Sequence, residues 1–168
     1  MAGGGIESLY AQSLTVIRST IASNSASSGG GIASKNTIVL DSTISGNVSS
    51  GYGGGILFNP LGATGFVANT TVSGNSAGSY GGGMTTSSFS TVTVINSTVY
   101  GNDASEGGGI ANASQATLVF RNSIVVGNTS PNGADVNTTN ATLTSNGANI
   151  FGSVVGASLP AGDQVGIS

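Results

Sequence analysis

The sequence predicts an all-β solenoid, a parallel β-helix of about six coils with three short strands in each coil. Three observations support this fold class. Two short motifs, one rich in glycine and one ending in asparagine, alternate along the chain, and their copies return about every 26 residues. Apolar and polar residues alternate between them, with many β-branched residues. A period of this length is typical of repeat architectures, and the alternation indicates strands.

The glycine motif sets the period. It reads G-G-G-I or G-G-G-M, with one degenerate copy, and its copies end at Ile6, Ile32, Ile56, Met84, Ile110 and Val136. Successive copies are 26, 24, 28, 26 and 26 residues apart. We expect glycine at the sharpest corner of each coil, where the backbone angle φ must be positive. The predicted glycine corners are Gly31, Gly55, Gly83 and Gly109.

The second motif reads S-T-[IV]-x-G-N in its clearest copies. Apolar residues three and eight positions before the final asparagine predict two strands with a bend between them. Stacked coils lie about 4.8 Å apart, so like residues form ladders. An asparagine at a corner can bond to its equivalents above and below, and it tolerates left-handed backbone angles. The predicted asparagine ladder is Asn24, Asn47, Asn75, Asn102 and Asn128.

The repeats cover residues 1–153. Residues 154–168 contain a proline and few apolar side chains, which predicts an irregular tail or an end-cover. A β-propeller is the competing architecture, but its blades usually contain about 40 residues or more and four strands each.

The composition excludes several function classes. The 168 residues include three Lys or Arg, six Asp or Glu, no His and no Cys, for a net charge of −3. Such sparse charge gives no electrostatic footprint for nucleic acid. The missing residue types remove the commonest general base and all thiolate chemistry. No apolar run approaches the roughly 18 residues that span a bilayer. We therefore predict a protein that is not an enzyme, with no catalytic, cofactor or metal site, no nucleic-acid partner and no membrane insertion.

Several side chains nevertheless deserve a chemical hypothesis. Asp103 and Glu106 share one loop, where they are either a weak cation site or two solvated acids. Tyr52 and Tyr80 each precede a glycine motif, which makes them candidates for sugar stacking or for an aromatic ladder at a turn. Arg18 and the acid one coil later, Asp41, share a corner column and should form a surface ion pair.

Two outward columns predict an interaction surface. Nine and seven residues before the asparagines, the side chains of one strand point away from the interior of the solenoid. Many of these side chains are apolar. Exposed apolar strips of this kind usually mark an interaction site. The predicted interaction strip is Ile17, Ile38, Leu40, Phe66, Ile95 and Val119. A neighbouring outward column of threonines resembles the regular arrays of ice-binding surfaces, and it consists of Thr20, Thr43, Thr71 and Thr98.

The combination of S-T-[IV]-x-G-N and G-G-G-I at this spacing resembles the right-handed parallel β-helix repeats of bacterial polymorphic outer-membrane proteins and autotransporter passengers. The ending N-S-I-V-V-G-N … A-D-V … S-N-G-A-N-I-F-G resembles the terminal coils of such secreted proteins. The resemblance implies a right-handed coil, an extracellular or cell-surface location and a role as scaffold or adhesin. The N-terminus does not read as a signal peptide.

The first functional hypothesis is therefore a structural or adhesive segment of an exported surface protein. Its partners would be the rest of a longer surface protein, other copies stacked end to end into a filament, or glycans, because an uncapped solenoid end is an unpaired sheet edge. The alternative is a β-helix that binds or processes carbohydrate, as pectate lyases do. The second alternative is an ice-binding surface.

Overall fold

The computed structural model describes residues 4–10 and 13–166, which form a stack of coils built from short parallel strands. No helix occurs in these ranges. The first four coils contain β1 (Ile6–Ser8), β2 (Leu14–Ile17), β3 (Thr20–Ala22), β4 (Ser25–Ala26), β5 (Ile32–Ser34), β6 (Asn36–Leu40), β7 (Thr43–Ser45), β8 (Val48–Ser49), β9 (Ile56–Phe58), β10 (Thr64–Ala68), β11 (Thr71–Ser73), β12 (Ser76–Tyr80), β13 (Met84–Thr86), β14 (Thr91–Ile95), β15 (Thr98–Tyr100) and β16 (Asp103–Glu106). The remaining strands are β17 (Ile110–Asn112), β18 (Thr117–Arg121), β19 (Ile124–Val126), β20 (Val136–Asn137), β21 (Thr142–Ser145), β22 (Ile150–Phe151), β23 (Val154–Val155) and β24 (Gln164–Val165).

The strands assemble into four parallel sheets that extend along the solenoid axis. Sheet A is β1-β5-β9-β13-β17-β20-β23, and sheet B is β2-β6-β10-β14-β18-β21. Sheet C is β3-β7-β11-β15-β19-β22-β24, and sheet D is β4-β8-β12-β16. The predicted all-β solenoid of about six coils is confirmed. The structure adds a fourth short strand to each of the first four coils, since the residues after the first four ladder asparagines also pair between coils.

The register places equivalent residues of successive copies directly against each other. Ile32 pairs with Ile56 in sheet A, and Ile44 pairs with Val72 in sheet C. The interior columns form one continuous core that extends through all six coils. Each fully buried aliphatic side chain contributes about 1.5–3 kcal/mol. Burial repeated in every coil is therefore what offsets the entropy of ordering such a glycine-rich chain.

The corner between sheets B and C requires left-handed backbone angles, with φ between 48° and 51°, and it is occupied by Arg18, Asp41, Asn69, Asn96 and Asn122. The ion pair that we expected between Arg18 and Asp41 does not form. Instead, Asn69 Nδ2 donates to Asp41 Oδ1 at 3.0 Å. A short amide in register in the next coil reaches the carboxylate without ordering a long side chain, whereas an exposed ion pair gains little in water.

The segment after residue 153 extends the solenoid. Val154–Val155 forms β23 at the end of sheet A, and Gln164–Val165 forms β24 at the end of sheet C. The partly buried Leu159 packs against the core between them. The described part of this segment, up to residue 166, therefore covers the last coil.

Candidate functional site

The five ladder asparagines lie in register after sheet C and are joined by hydrogen bonds. The backbone N–H and the Nδ2 of Asn47 both donate to Asn75 Oδ1 at 2.9 Å. The same Nδ2 also donates to the carbonyl oxygen of Ile21 in the preceding coil. Each central asparagine therefore ties three coils together, and four of the five side chains are buried.

The third glycine of each motif makes room for this ladder. A Cβ at Gly31 would lie 2.6 Å from the carbonyl oxygen of Gly55 and 3.0 Å from Asn47 Nδ2. We assigned the positive φ to the wrong glycine, because it belongs to the first residue of each triplet, with φ of 58–63° at Gly29, Gly53, Gly81 and Gly107. The third position requires glycine because the adjacent coil and the ladder approach too closely for any side chain. This contact explains why the two motifs recur together.

The asparagine ladder ends on a carboxylate that the degenerate glycine motif supplies. Asp135 takes the place of the third glycine, and its Oδ1 accepts from Asn128 N–H and Nδ2 at 2.9 Å. Its Oδ2 accepts from Ser153 N–H at 2.8 Å. An asparagine at this position would need an acceptor for its own amide, whereas a carboxylate only accepts. Asp135 is therefore a cap for the ladder.

A second ladder of side chains, one strand away, has the same construction. In each of the first four coils a backbone N–H donates to a hydroxyl oxygen in the next, as Thr70 N–H does to Ser97 Oγ at 3.1 Å. In the fifth coil Ser123 N–H donates to Asn149 Oδ1 at 2.9 Å. The ladder also ends on a carboxylate, since Asn149 N–H and Nδ2 donate to Asp163 Oδ1. This column is the first residue of the S-T-[IV]-x-G-N motif, but the sequence pattern did not show that its hydroxyls accept hydrogen bonds from the preceding coil.

A groove with a volume of about 410 Å³ lies over the outer face of sheet A. Its floor is the middle residue of successive strands, namely Leu57, Thr85, Ala111 and Asn137. These side chains point away from the core, yet each is at most 6% exposed because the walls on both sides shield them. The floor spans three coil steps, roughly 14 Å along the axis.

The walls of the groove come from the turns on either side of sheet A. One wall contains Tyr52, Tyr80 and Glu106, which directly precede the glycine motifs. The other wall belongs to the loops between sheets A and B, whose varying lengths contribute to the differences in the period. Its lining residues are Asn59, Leu61, Ser87, Ser88, Ala113, Ser114 and Thr139.

Tyr52 and Tyr80 form a stacked pair, with ring centroids 5.6 Å apart and planes inclined by 11°. A centroid distance above the coil spacing indicates an offset stack, and the two residues remain 43% and 40% exposed. Thr85 in the floor fixes this wall, because its hydroxyl donates to the Tyr80 carbonyl at 2.6 Å and accepts from Gly53 N–H at 3.1 Å. The stack expected from the sequence is present, and it lines a groove.

The groove carries little charge. Among its lining residues Glu106 is the single ionisable carboxylate, and none is Lys or Arg. Asp103 is exposed on sheet D, whereas Glu106 is half-buried beside the groove. Within residues 4–10 and 13–166, no group of three or more carboxylates is placed to hold a metal ion. The same part of the chain contains no helix that could span a membrane.

The predicted interaction strip lies on the outer face of sheet B. Ile17, Ile38 and Phe66 are 38–44% exposed. The other three members, Leu40, Ile95 and Val119, are half-buried. The threonines of the second column are in register on sheet C, and Ile124 ends that column.

The sequence analysis did not identify the groove itself. The sequence feature that could have indicated its floor is the residue directly after each glycine motif. The alternation points this residue outward, yet it is small or apolar in several coils, as at Ala33, Leu57 and Ala111. Its burial depends on loops of irregular length, which have no periodic pattern.

Comparison with known proteins supports the same architecture. The family model described as right handed beta helix region matches residues 1–153, the range that the repeats cover. No curated protein and no solved structure matches the chain. The family match extends over most of the sequence, and its description supplies the handedness. The chain belongs to the right-handed β-helix family.

Proposed function

We propose that this chain is a structural and adhesive segment of an exported cell-surface protein, in which the solenoid is the scaffold and the groove over sheet A is the adhesive surface. The groove is the observation that carries the proposal. It is a concave surface with shielded apolar floor residues, a stacked tyrosine pair and a few polar groups, which is the usual composition of a binding site. It is built on rigid strands rather than on a single loop.

Adhesion fits this groove better than catalysis does. Hydrolysis of a glycosidic bond uses a pair of carboxylates, and Glu106 is the single carboxylate among the lining residues. Calcium-dependent carbohydrate chemistry uses clustered oxygen ligands, and the described residues hold no such cluster. The side chains of the groove can bind and orient a ligand without transforming it.

The hydrogen-bonding groups at the ends of the two ladders disfavour a filament of stacked copies. In each ladder the earlier coil donates to the next one, as Asn24 does to Asn47 Oδ1. Asn24 Oδ1 accepts no bond from the described residues, so a preceding copy in a stack would have to supply its donors. The ladders end instead on Asp135 and Asp163, which have no donors to offer. Head-to-tail stacking would thus place acceptors against acceptors. We expect light scattering to show a monomer across a concentration series, and concentration-dependent filaments would contradict this argument.

The adhesive role can be tested with microspheres coated with the purified chain. Their retention is measured under flow on immobilised bacterial, fungal and plant cell walls. Ser114 lines the groove and is exposed, so Ser114→Trp should fill the groove without disturbing the core. Thr71→Trp places the same bulk on the exposed face of sheet C and serves as the matched control. We expect Ser114→Trp to abolish retention and Thr71→Trp to preserve it. Equal retention of both variants, or no retention of the unmodified chain, would refute the proposal.

A further inference from the structure

We propose that the groove over sheet A binds an uncharged oligosaccharide whose chain is aligned with the solenoid axis. This inference rests on the adhesive function proposed above and specifies the chemical class of the ligand. Three properties of the groove carry it: the apolar surface that it exposes, the hydrogen-bonding groups that it leaves available, and its lack of positive charge.

The apolar surface suits the C–H faces of sugar rings. Tyr52 and Tyr80 present partly exposed rings along one wall, and Leu57 and Ala111 form the floor beside them. Tyrosine combines an apolar ring with a polar tip. Neither tyrosine hydroxyl forms a hydrogen bond with a described residue. The wall therefore offers a ligand both a flat apolar contact and two groups that donate and accept.

The floor contains a hydrogen-bond donor without a partner. Asn137 is only 6% exposed, and its Oδ1 accepts from Thr139 N–H at 3.1 Å and from Thr139 Oγ1 at 2.9 Å. Its Nδ2 donates to no residue in the described part of the chain. The amide is therefore available to a ligand, and a ligand that supplies an acceptor can gain affinity from this hydrogen bond. Hydroxyl and ring oxygens of a sugar are such acceptors.

The charge of the groove selects against acidic sugars. Glu106 accepts hydrogen bonds from sugar hydroxyls, but it repels the carboxylates of uronic acids. No Lys or Arg lines the groove to compensate. Recognition of anionic groups in proteins generally relies on these two cations. The ligand that fits is therefore a chain of neutral sugars.

The sheet geometry favours a sugar over an extended peptide. A peptide that binds a β-sheet commonly adds a strand at an unpaired edge. The backbone of sheet A is paired between coils along the floor, as Ile56 N–H is with the Gly83 carbonyl at 2.9 Å. A peptide lying in the groove would find no strand edge and would leave its own N–H and C=O groups without backbone partners. A sugar chain has no such requirement.

The test measures binding of defined probes to the full chain by calorimetry. The neutral probes are cellohexaose, mannohexaose and chitohexaose. The acidic probe is hexagalacturonate, and a Ser/Thr/Gly peptide of similar length represents the peptide class. We expect at least one neutral probe to bind, with hexagalacturonate and the peptide inactive.

Three variants locate the binding site. Tyr52→Ala with Tyr80→Ala should raise Kd about tenfold or more, since aromatic contacts contribute about 0.5–1.5 kcal/mol each. Asn137→Asp keeps the oxygen that Thr139 uses and removes the free donor, so it should also weaken binding. Tyr100→Ala is the matched control, because Tyr100 is 57% exposed on sheet C, outside the groove. It should leave Kd unchanged, and melting curves verify that every variant is folded.

The outcomes distinguish this inference from the proposed function. Microsphere retention without binding of any neutral probe would overturn the ligand class and leave the adhesive role standing. Binding of only the acidic probe or the peptide would overturn the ligand class as well, and so would tyrosine variants that bind a neutral probe as tightly as the unmodified chain. Loss of both retention and probe binding in the unmodified chain would overturn both proposals.

Discussion

Replacement of Asp135 by asparagine should separate the hydrogen-bonding role of the ladder cap from its size. The Asp135 carboxylate is 4% exposed and accepts on both oxygens, with Asn128 on one side and Ser153 on the other. In Asp135→Asn one of these oxygens becomes an NH₂ group. If the remaining oxygen faces Asn128, the new amide meets Ser153 N–H across a distance of 2.8 Å, donor against donor.

The expected cost follows from the bonds lost. A hydrogen bond to a charged group contributes about 1.5–3 kcal/mol. Ser153 Oγ can rotate its hydrogen away, so the loss centres on the N–H bond. We expect Asp135→Asn to destabilise the fold by about 2–3 kcal/mol. For a domain of this size that lowers Tm by about 4–12 °C. The side-chain amides of the asparagine ladder are aligned with N–H donors pointing toward Asp135. Their dipoles therefore favour a negative charge at this end of the ladder.

Asp163→Asn is the matched control, because Asp163 caps the parallel ladder with only one oxygen. Its Oδ1 accepts from Asn149, whereas its Oδ2 is shielded from solvent and has no partner among the described residues. The substitution keeps the accepting oxygen, displaces no donor and removes a partly buried charge. We expect a stability within about 1 kcal/mol of the unmodified chain. Thermal unfolding followed by circular dichroism measures both variants. A loss for Asp163→Asn that equals or exceeds the loss for Asp135→Asn would refute the cap mechanism.

Two further predictions concern the fit between coils. Gly55→Ala should lower the free energy of unfolding by about 3 kcal/mol, because overpacking forces neighbours apart and the new Cβ would lie 2.5 Å from the Gly83 carbonyl oxygen. In Gly74→Ala the new Cβ meets nothing closer than 3.9 Å. This variant should lose only about 1–2 kcal/mol, from the strain of its left-handed backbone angle. Urea denaturation measures both, and equal losses would contradict the close-approach argument. Ile44 is fully buried, so Ile44→Ala should lower the free energy of unfolding by about 2–5 kcal/mol. Ile38 is exposed on sheet B, so Ile38→Ala should lower it by well under half of that amount. A comparable loss at Ile38 in the same assay would show that sheet B is packed against something in solution.

Much of the architecture follows from the sequence because each coil repeats the same pattern of apolar, glycine and asparagine positions. The spacing of Ile32, Ile56 and Ile110 sets the number of residues in one coil, and parallel pairing then places like residues in columns. Asn47 and Asn75 were recognisable as ladder members because a side chain that bonds to its own equivalent must recur once per coil. A stack of Tyr52 and Tyr80 was one of the two alternatives that the sequence offered, since both stand directly before a glycine motif.

Other features depend on contacts between residues with no periodic relation, and only the tertiary structure decided them. Asp135 caps the asparagine ladder because the sixth coil lacks a sheet D strand, so its side chain enters the space that the next asparagine would have filled. The need for glycine at Gly31 arises from the adjacent coil and from Asn47, not from its own backbone angle. The groove forms because loops of unequal length fold beside the same sheet and shield Leu57 and Asn137. Local sequence determines which way a side chain points, but distant segments determine what it meets there.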